Sequence, residues 1–382
     1  MRLDAFVDEL ELCARCHEQC LFSSSVVRAT GRHTLAPSRK ALLALLLRRG
    51  ALAGAELAEL AEVFERGIGS GVEHANCLYE GRSPWPDETL IARAVRADLA
   101  DEGVLTPTAA RAAERIDATG DPFGLGPDPE ALLVAGDTLF FSDAATRALA
   151  PLVSAAFLRL VRRYERDVRP VPSAAVGGPG RDLPAGLPSS AGFEALELGL
   201  EGRARRLASA VASVARRAGA RRIVSESPEA LVALQTFGQA DLALGHASEW
   251  LDERLPGAGP GRRGAGAPGN PIVTVLHDSS RLGRYLGVYD PPRRVLDRLP
   301  GLERRELARS RRHATPSGPT FGFPDAEAAT AMARLLIEEV REVGARRIVT
   351  TSPYALRNLA QVAAADGLEV RDLVGLVEEL VA

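Results

Sequence analysis

Gly219-Ala220-Arg221-Arg222-Ile223-Val224 returns later in the chain as Gly344-Ala345-Arg346-Arg347-Ile348-Val349. In both copies the phrase closes an amphipathic helical stretch, runs into β-branched residues and is followed by Ser-Pro, at Ser227-Pro228 and Ser352-Pro353. Ile-Val after a glycine turn reads as a buried parallel strand, and Ser before Pro reads as the cap and first residue of a new helix. A helix-strand-helix phrase used twice predicts two tandem α/β repeats.

Working outward, Pro256 to Asn270 is so rich in Gly and Pro that 256–270 reads as a linker between the copies. Ile272-Val273-Thr274-Val275-Leu276 then opens the second copy as a strand. Ala131 to Ala135 reads as a buried parallel strand at the start of the first, and Ala144 to Arg163 as a helix broken near Pro151. Residues 1–127 carry a different pattern, with helical periodicity in Arg39 to Arg49, Ala55 to Arg66 and Glu88 to Leu99, the last capped by Asp87. Gly67 to Gly71 and Pro84-Trp85-Pro86 interrupt it. The expected fold class is therefore α/β: an all-helical segment 1–127, then repeats 128–255 and 271–382 with mostly parallel sheets.

The chain has 382 residues and a net charge of −3, which gives no electrostatic case for nucleic acid. Its longest apolar run, Ala41 to Leu47, is far short of the roughly 20 residues of a membrane span. Met1-Arg2-Leu3-Asp4 carries an acid where a signal peptide would be basic and then apolar, so a cytoplasmic protein is expected. Lys40 is the only lysine against a heavy load of arginine, a bias that says nothing about function by itself.

Of four cysteines, Cys13, Cys16 and Cys20 lie within eight residues and Cys77 stands apart. A C-x2-C-x3-C group plus one distant thiol can wrap one tetrahedral metal or one cubane iron-sulfur cluster. The competing readings are scattered core cysteines, disulfides, and a structural zinc held by four thiolates or by three plus His17 or His74. A [4Fe-4S] cluster on Cys13, Cys16, Cys20 and Cys77 is the favoured reading, with a non-redox scaffold or binding protein holding a structural zinc at the four-cysteine site as the alternative.

The strand ends, Gly136-Asp137-Thr138, Ser225-Glu226-Ser227, His277-Asp278-Ser279-Ser280 and Thr350-Thr351-Ser352, are small and hydroxyl-rich. They read either as an altered pocket or as residues that close turns and cap helices, and no catalytic residue is assigned among them. His246, His277 and His313 fall in separate segments. With every thiol before residue 78, no metal is expected in the C-terminal repeats, whose role is expected to be packing or docking.

These stretches resemble a family. Cys13 to Cys20, Thr30-Gly31-Arg32, Pro37-Ser38-Arg39 and the helix Arg93-Ala94-Val95-Arg96-Ala97-Asp98 are similar to the ferredoxin-type helical domain of the iron-sulfur subunits of glycolate oxidase and anaerobic glycerol-3-phosphate dehydrogenase and of the D subunit of heterodisulfide reductase. His277 to Arg284, Gly287-Val288-Tyr289-Asp290-Pro291-Pro292-Arg293 and Pro300-Gly301-Leu302-Glu303 resemble that family's cysteine-rich CCG-type C-terminal domain. The resemblance implies a non-catalytic electron-transfer subunit of an oxidoreductase complex, serving a redox partner subunit of the flavoprotein dehydrogenase kind. The departures are specific. The family's two four-cysteine motifs are reduced to thiols for one cluster, and the C-terminal cysteines are replaced by Ala175-Val176, Ser227-Pro228-Glu229-Ala230, Ser280, Pro316-Ser317 and Ser352-Pro353-Tyr354-Ala355.

Overall fold

The computed structural model describes residues 1–171, 187–238, 240–256 and 270–381. Ala175-Val176 and nearly all of the 256–270 linker lie outside the described residues. The repeated phrase forms the inner strand of two sheets. The first is built from β1 (Leu132–Ala135), β2 (Thr138–Phe141), β3 (Arg169–Pro170), β4 (Arg222–Ser225) and β5 (Ala243–His246), in the order β3-β1-β2-β4-β5. The second contains β6 (Ile272–Leu276), β7 (Leu302–Arg305), β8 (Arg347–Thr350) and β9 (Glu369–Asp372), in the order β7-β6-β8-β9.

The class is α/β, with mostly parallel sheets and a helical N-terminus. β2-β4-β5 and β6-β8-β9 are parallel throughout. A helix enters each inner strand, Glu201–Arg217 or Ala326–Glu342, and a helix leaves it, Pro228–Thr236 or Pro353–Ala363. Both departing helices start on the Ser-Pro step: the Ser227 hydroxyl accepts from the Ala230 amide at 3.2 Å and Ser352 from Ala355 at 3.5 Å. One expectation is corrected. β1 is antiparallel to both neighbours, because Gly136 takes φ +55° and turns the chain straight back into β2, pairing Ala135 with Thr138.

The two sheets share apolar packing. Phe140 and Val224 of the first sheet and Phe157 and Trp250 of its helices belong to one buried cluster with Leu276 and Val349 of the second sheet and Val295 and Leu373 of its helices. Each such side chain, fully withdrawn from water, contributes about 1.5–3 kcal/mol. The N-terminal helices have a cluster of their own around Leu10, Ala44, Phe64, Ile91 and Val95. They are also sewn to the rest, since Val26 and Val27 of helix Ser25–Thr30 bury against Met332 of helix Ala326–Glu342. A buried ion-pair group completes the seam: Arg93 donates to Glu197 at 2.8 Å, and Arg281 stands 3.7 Å from the same carboxylate. Among the described residues no helix is long and apolar enough to cross a membrane.

Candidate metal centre

Cys13 is the penultimate residue of helix Val7–Ala14, and the Cys16 amide donates to its carbonyl at 3.1 Å as the helix unwinds. Cys20 sits on the 3-10 turn Gln19–Phe22, its carbonyl accepting the amides of Ser23 and Ser24 at 3.1 and 3.0 Å. Between them Glu18 occupies the left-handed region at φ 62°, a costly conformation for a residue with a side chain. Its carboxylate is held by the Ser38 hydroxyl and lies 3.3 Å from Arg39 Nε, so helix Pro37–Arg48 fixes the bend of the cysteine loop. Cys77 follows helix Val72–Ala75, its amide bonded to the His74 carbonyl at 3.2 Å.

All four cysteines are half-buried and none is in a disulfide. Cys13, Cys20 and Cys77 line one pocket with Pro37, Ala41, Phe64 and Ile91 as apolar wall. Burial pushes the Cys13 thiol up to about 12, with Cys16 and Cys77 adding to the effect. Burial also pushes up Cys20, followed by Cys13, then Glu73, Cys16 and Cys77. Cys77 is raised by burial too, with Cys16 among its contributors. Every pair among the four thiols is thus within electrostatic reach. Cys16 is not a lining residue of the pocket, and no group of three or more His, Cys, Asp or Glu is drawn together as the ligands of one ion among the described residues.

Thiols are the soft donors that zinc and iron-sulfur clusters take. Thiols that resist ionisation when alone are deprotonated by a bound metal, whose positive charge reverses the cost of gathering four thiolates. His74 lines the same pocket, but its ring stacks on Trp85 at 4.0 Å and its Nδ1 is 3.0 Å from the Pro86 carbonyl. His17 is exposed and is not a lining residue.

Three charged residues of the pocket were not legible as site residues. Lys40 Nζ meets Glu88 Oε1 at 2.8 Å, with side chains only 4% and 11% exposed. Glu73 is buried beside them, and burial first, then Glu88, lifts its carboxyl above the ordinary range. The signal was the lone lysine, which composition alone could not place.

The end of β6 is occupied with structure. Asp278 is buried against Arg293 at 2.7 and 2.8 Å and accepts the Arg311 amide at 2.6 Å. His277 Nε2 lies 3.2 Å from the Thr315 carbonyl, and burial pushes its imidazole down to about 4.

The fold is thus of the α/β class, two mostly parallel sheets behind a helical, thiol-bearing segment. No family model matches the chain. The chain is similar to the D subunit of the dihydromethanophenazine:CoB–CoM heterodisulfide reductase of Methanosarcina barkeri, 32% identical over 118 residues, 29% of this chain and 28% of that protein. The same protein of Methanosarcina mazei is 33% identical over 117 residues, 30% of this chain and 27% of that protein. FadF of Bacillus subtilis, whose name reads probable iron-sulfur-binding oxidoreductase, is 31% identical over 122 residues, 30% of this chain and 17% of that protein. The chain therefore spans less than a third of the length of the curated relatives it matches. The resemblance read from the sequence stands: its homologues are the heterodisulfide reductase D subunit and an iron-sulfur oxidoreductase.

Proposed function

We propose that the chain is an iron-sulfur electron-transfer subunit of an oxidoreductase complex, with one [4Fe-4S] cluster held by Cys13, Cys16, Cys20 and Cys77. The observation that carries this reading is that three of the four thiols line one pocket, with Cys16 close enough to contribute to the raised thiols of all three. The names of the relatives support it, one belonging to a heterodisulfide reductase and one to an iron-sulfur-binding oxidoreductase. Bound there, the cluster supplies one-electron exchange at a potential set by burial and nearby hydrogen bonds.

The chain's own residues do the rest. Glu18 and Ser38 hold the Cys16 to Cys20 bend, Phe64 and Ile91 keep water off the inner face, and the Lys40 ammonium offsets part of the negative charge collected there. Segment 1–127 is the cluster-binding domain in this reading, and 128–255 and 271–382 are degenerate repeats that serve it structurally. The protein works in the cytoplasm with a redox partner of the flavoprotein dehydrogenase type. The second reading is a structural zinc with His74 replacing one thiol, favoured only by the place of His74 in the pocket wall.

Single Cys→Ala variants test the ligand set. Each of the four should lose most of its bound iron, since a cubane with a missing corner ligand is labile. Full iron content in Cys77→Ala would remove Cys77 from the site.

A further inference from the structure

Cys77 is held locally by little more than its own turn, its amide on His74 and its carbonyl accepting from Glu80 at 3.1 Å. The stretches on both sides of it are gripped from the second α/β unit. Upstream, Arg281 donates to the carbonyls of Gly69 and, at 3.0 Å, Ile68. The Tyr285 hydroxyl donates to the Gly69 carbonyl at 2.9 Å. Arg284, on the same π-helical turn Arg281–Tyr285, donates Nε to the Ser70 carbonyl at 2.7 Å. Its Nη1 donates to the carbonyls of Arg312 and Ala314, both at 3.0 Å, and its Nη2 to the Ser280 hydroxyl at 2.7 Å.

One guanidinium with all three nitrogens engaged thus ties the glycine-rich approach to Cys77 to the short turn Arg311–His313. That turn reaches the residues next to the cysteine. Arg312 donates to the Ala75 carbonyl at 3.3 Å and pairs with Glu80, and His313 Nδ1 stands 3.0 Å from Asn76 Oδ1. Gly71 makes room for the approach, since a Cβ there would lie 3.1 Å from the Tyr285 hydroxyl.

We propose that Arg281–Tyr285 and Arg311–His313 form a collar that positions Cys77 at the pocket, so that the second α/β unit is part of the metal centre's assembly. Arg284, Arg312 and His313 are positioning residues, acting through backbone and neighbours of the cysteine. The proposal rests on the reading of Cys77 as a ligand, but the collar is a geometric claim that needs no metal for its test.

The test uses full-length, metal-free, reduced protein and N-ethylmaleimide, with the alkylation rate of each cysteine followed by peptide mass spectrometry. Arg312→Ala and His313→Ala are suited to it because neither side chain is in the core; that of Arg312 is 41% exposed. Cys77 should react about threefold to tenfold faster in each, as local opening of its turn becomes easier, while Cys13 keeps its rate. Arg312→Lys, which retains a cation for Glu80 but not the fork to Ala75, should fall between. In iron-loaded protein the same variants should shift the electron paramagnetic resonance of the reduced form, a readout that a general loss of stability would not move. An unchanged Cys77 rate in both alanine variants, or equal acceleration of all four cysteines, overturns the collar. If the wild type takes up no iron, the electron-transfer reading falls and the alkylation result still decides the collar.

Discussion

Replacing Lys40 by methionine removes the only lysine of the protein from the wall of the cysteine pocket and strands its partner Glu88. The pair is 2.8 Å long with both side chains nearly buried, so the Glu88 carboxylate would be left with little water to replace the ammonium. Breaking a buried ion pair from one side costs about 3–5 kcal/mol, mostly through the charge left behind. Glu73 adds to the same sign, because Lys40 is one of the groups that stabilise its ionised form. Removing the second charge as well, in Lys40→Met with Glu88→Gln, should recover at least half of the loss, since well-packed neutral replacements of both partners are often near neutral. The assay is urea unfolding of the metal-free protein followed by fluorescence, Trp85 lying on His74 at the edge of the same site. With the single Glu88→Gln added, the three variants and the wild type form a thermodynamic cycle. A loss under about 1 kcal/mol for Lys40→Met, or a double variant no more stable than the single, would refute the buried-pair argument.

Two further outcomes follow from the packing and from the buried acids. Gly199 holds φ +79°, and a Cβ there would stand 2.4 Å from the Arg96 carbonyl carbon and 2.5 Å from its oxygen. Gly199→Ala should therefore destabilise by about 2–4 kcal/mol, measured as a lower denaturant midpoint, and an unchanged midpoint would show that the helix Glu88–Asp101 is free to retreat. Burial pushes Glu194 and Glu226 up to about 8 and Glu229 and Asp372 up to about 7. Their folded values exceed their unfolded ones, so the stability they give is complete at low pH and is lost as pH rises through 7 and 8. His246 and His277, lowered to about 4, oppose this only below their ordinary 6.5. Between about pH 6.5 and 8.5 stability should fall, by at most about 1.4 kcal/mol per pH unit for each group still protonated, and Glu226→Gln should flatten the slope. A slope that rises over this window would contradict the assignment.

What was legible in the sequence was local. Ile223-Val224 and Ile348-Val349 announce their strands because two β-branched residues between a glycine turn and a Ser-Pro step have few other uses. β7, whose residues are Leu302-Glu303-Arg304-Arg305, did not, since an edge strand of charged residues reads as surface until a neighbour is present to pair with it. The direction of β1 was misread for a related reason. A run such as Leu132-Leu133-Val134-Ala135 is buried in either orientation, and the orientation was decided by the two residues after it. The cysteine spacing pointed to a centre, but its charged wall and collar did not show. Lys40 and Glu88 meet across two helices, and Arg284 reaches Ser70 across 214 residues of chain. No periodicity carries such a contact.

Iron, zinc and acid-labile sulfide analysis of protein purified without oxygen, read together with its visible spectrum, decides whether the four cysteines hold an iron-sulfur cluster. The expected result is a brown protein with about four irons and four sulfides per chain, a broad visible absorbance that bleaches on reduction, and no stoichiometric zinc. A colourless protein carrying one zinc and no labile sulfide would contradict the electron-transfer reading.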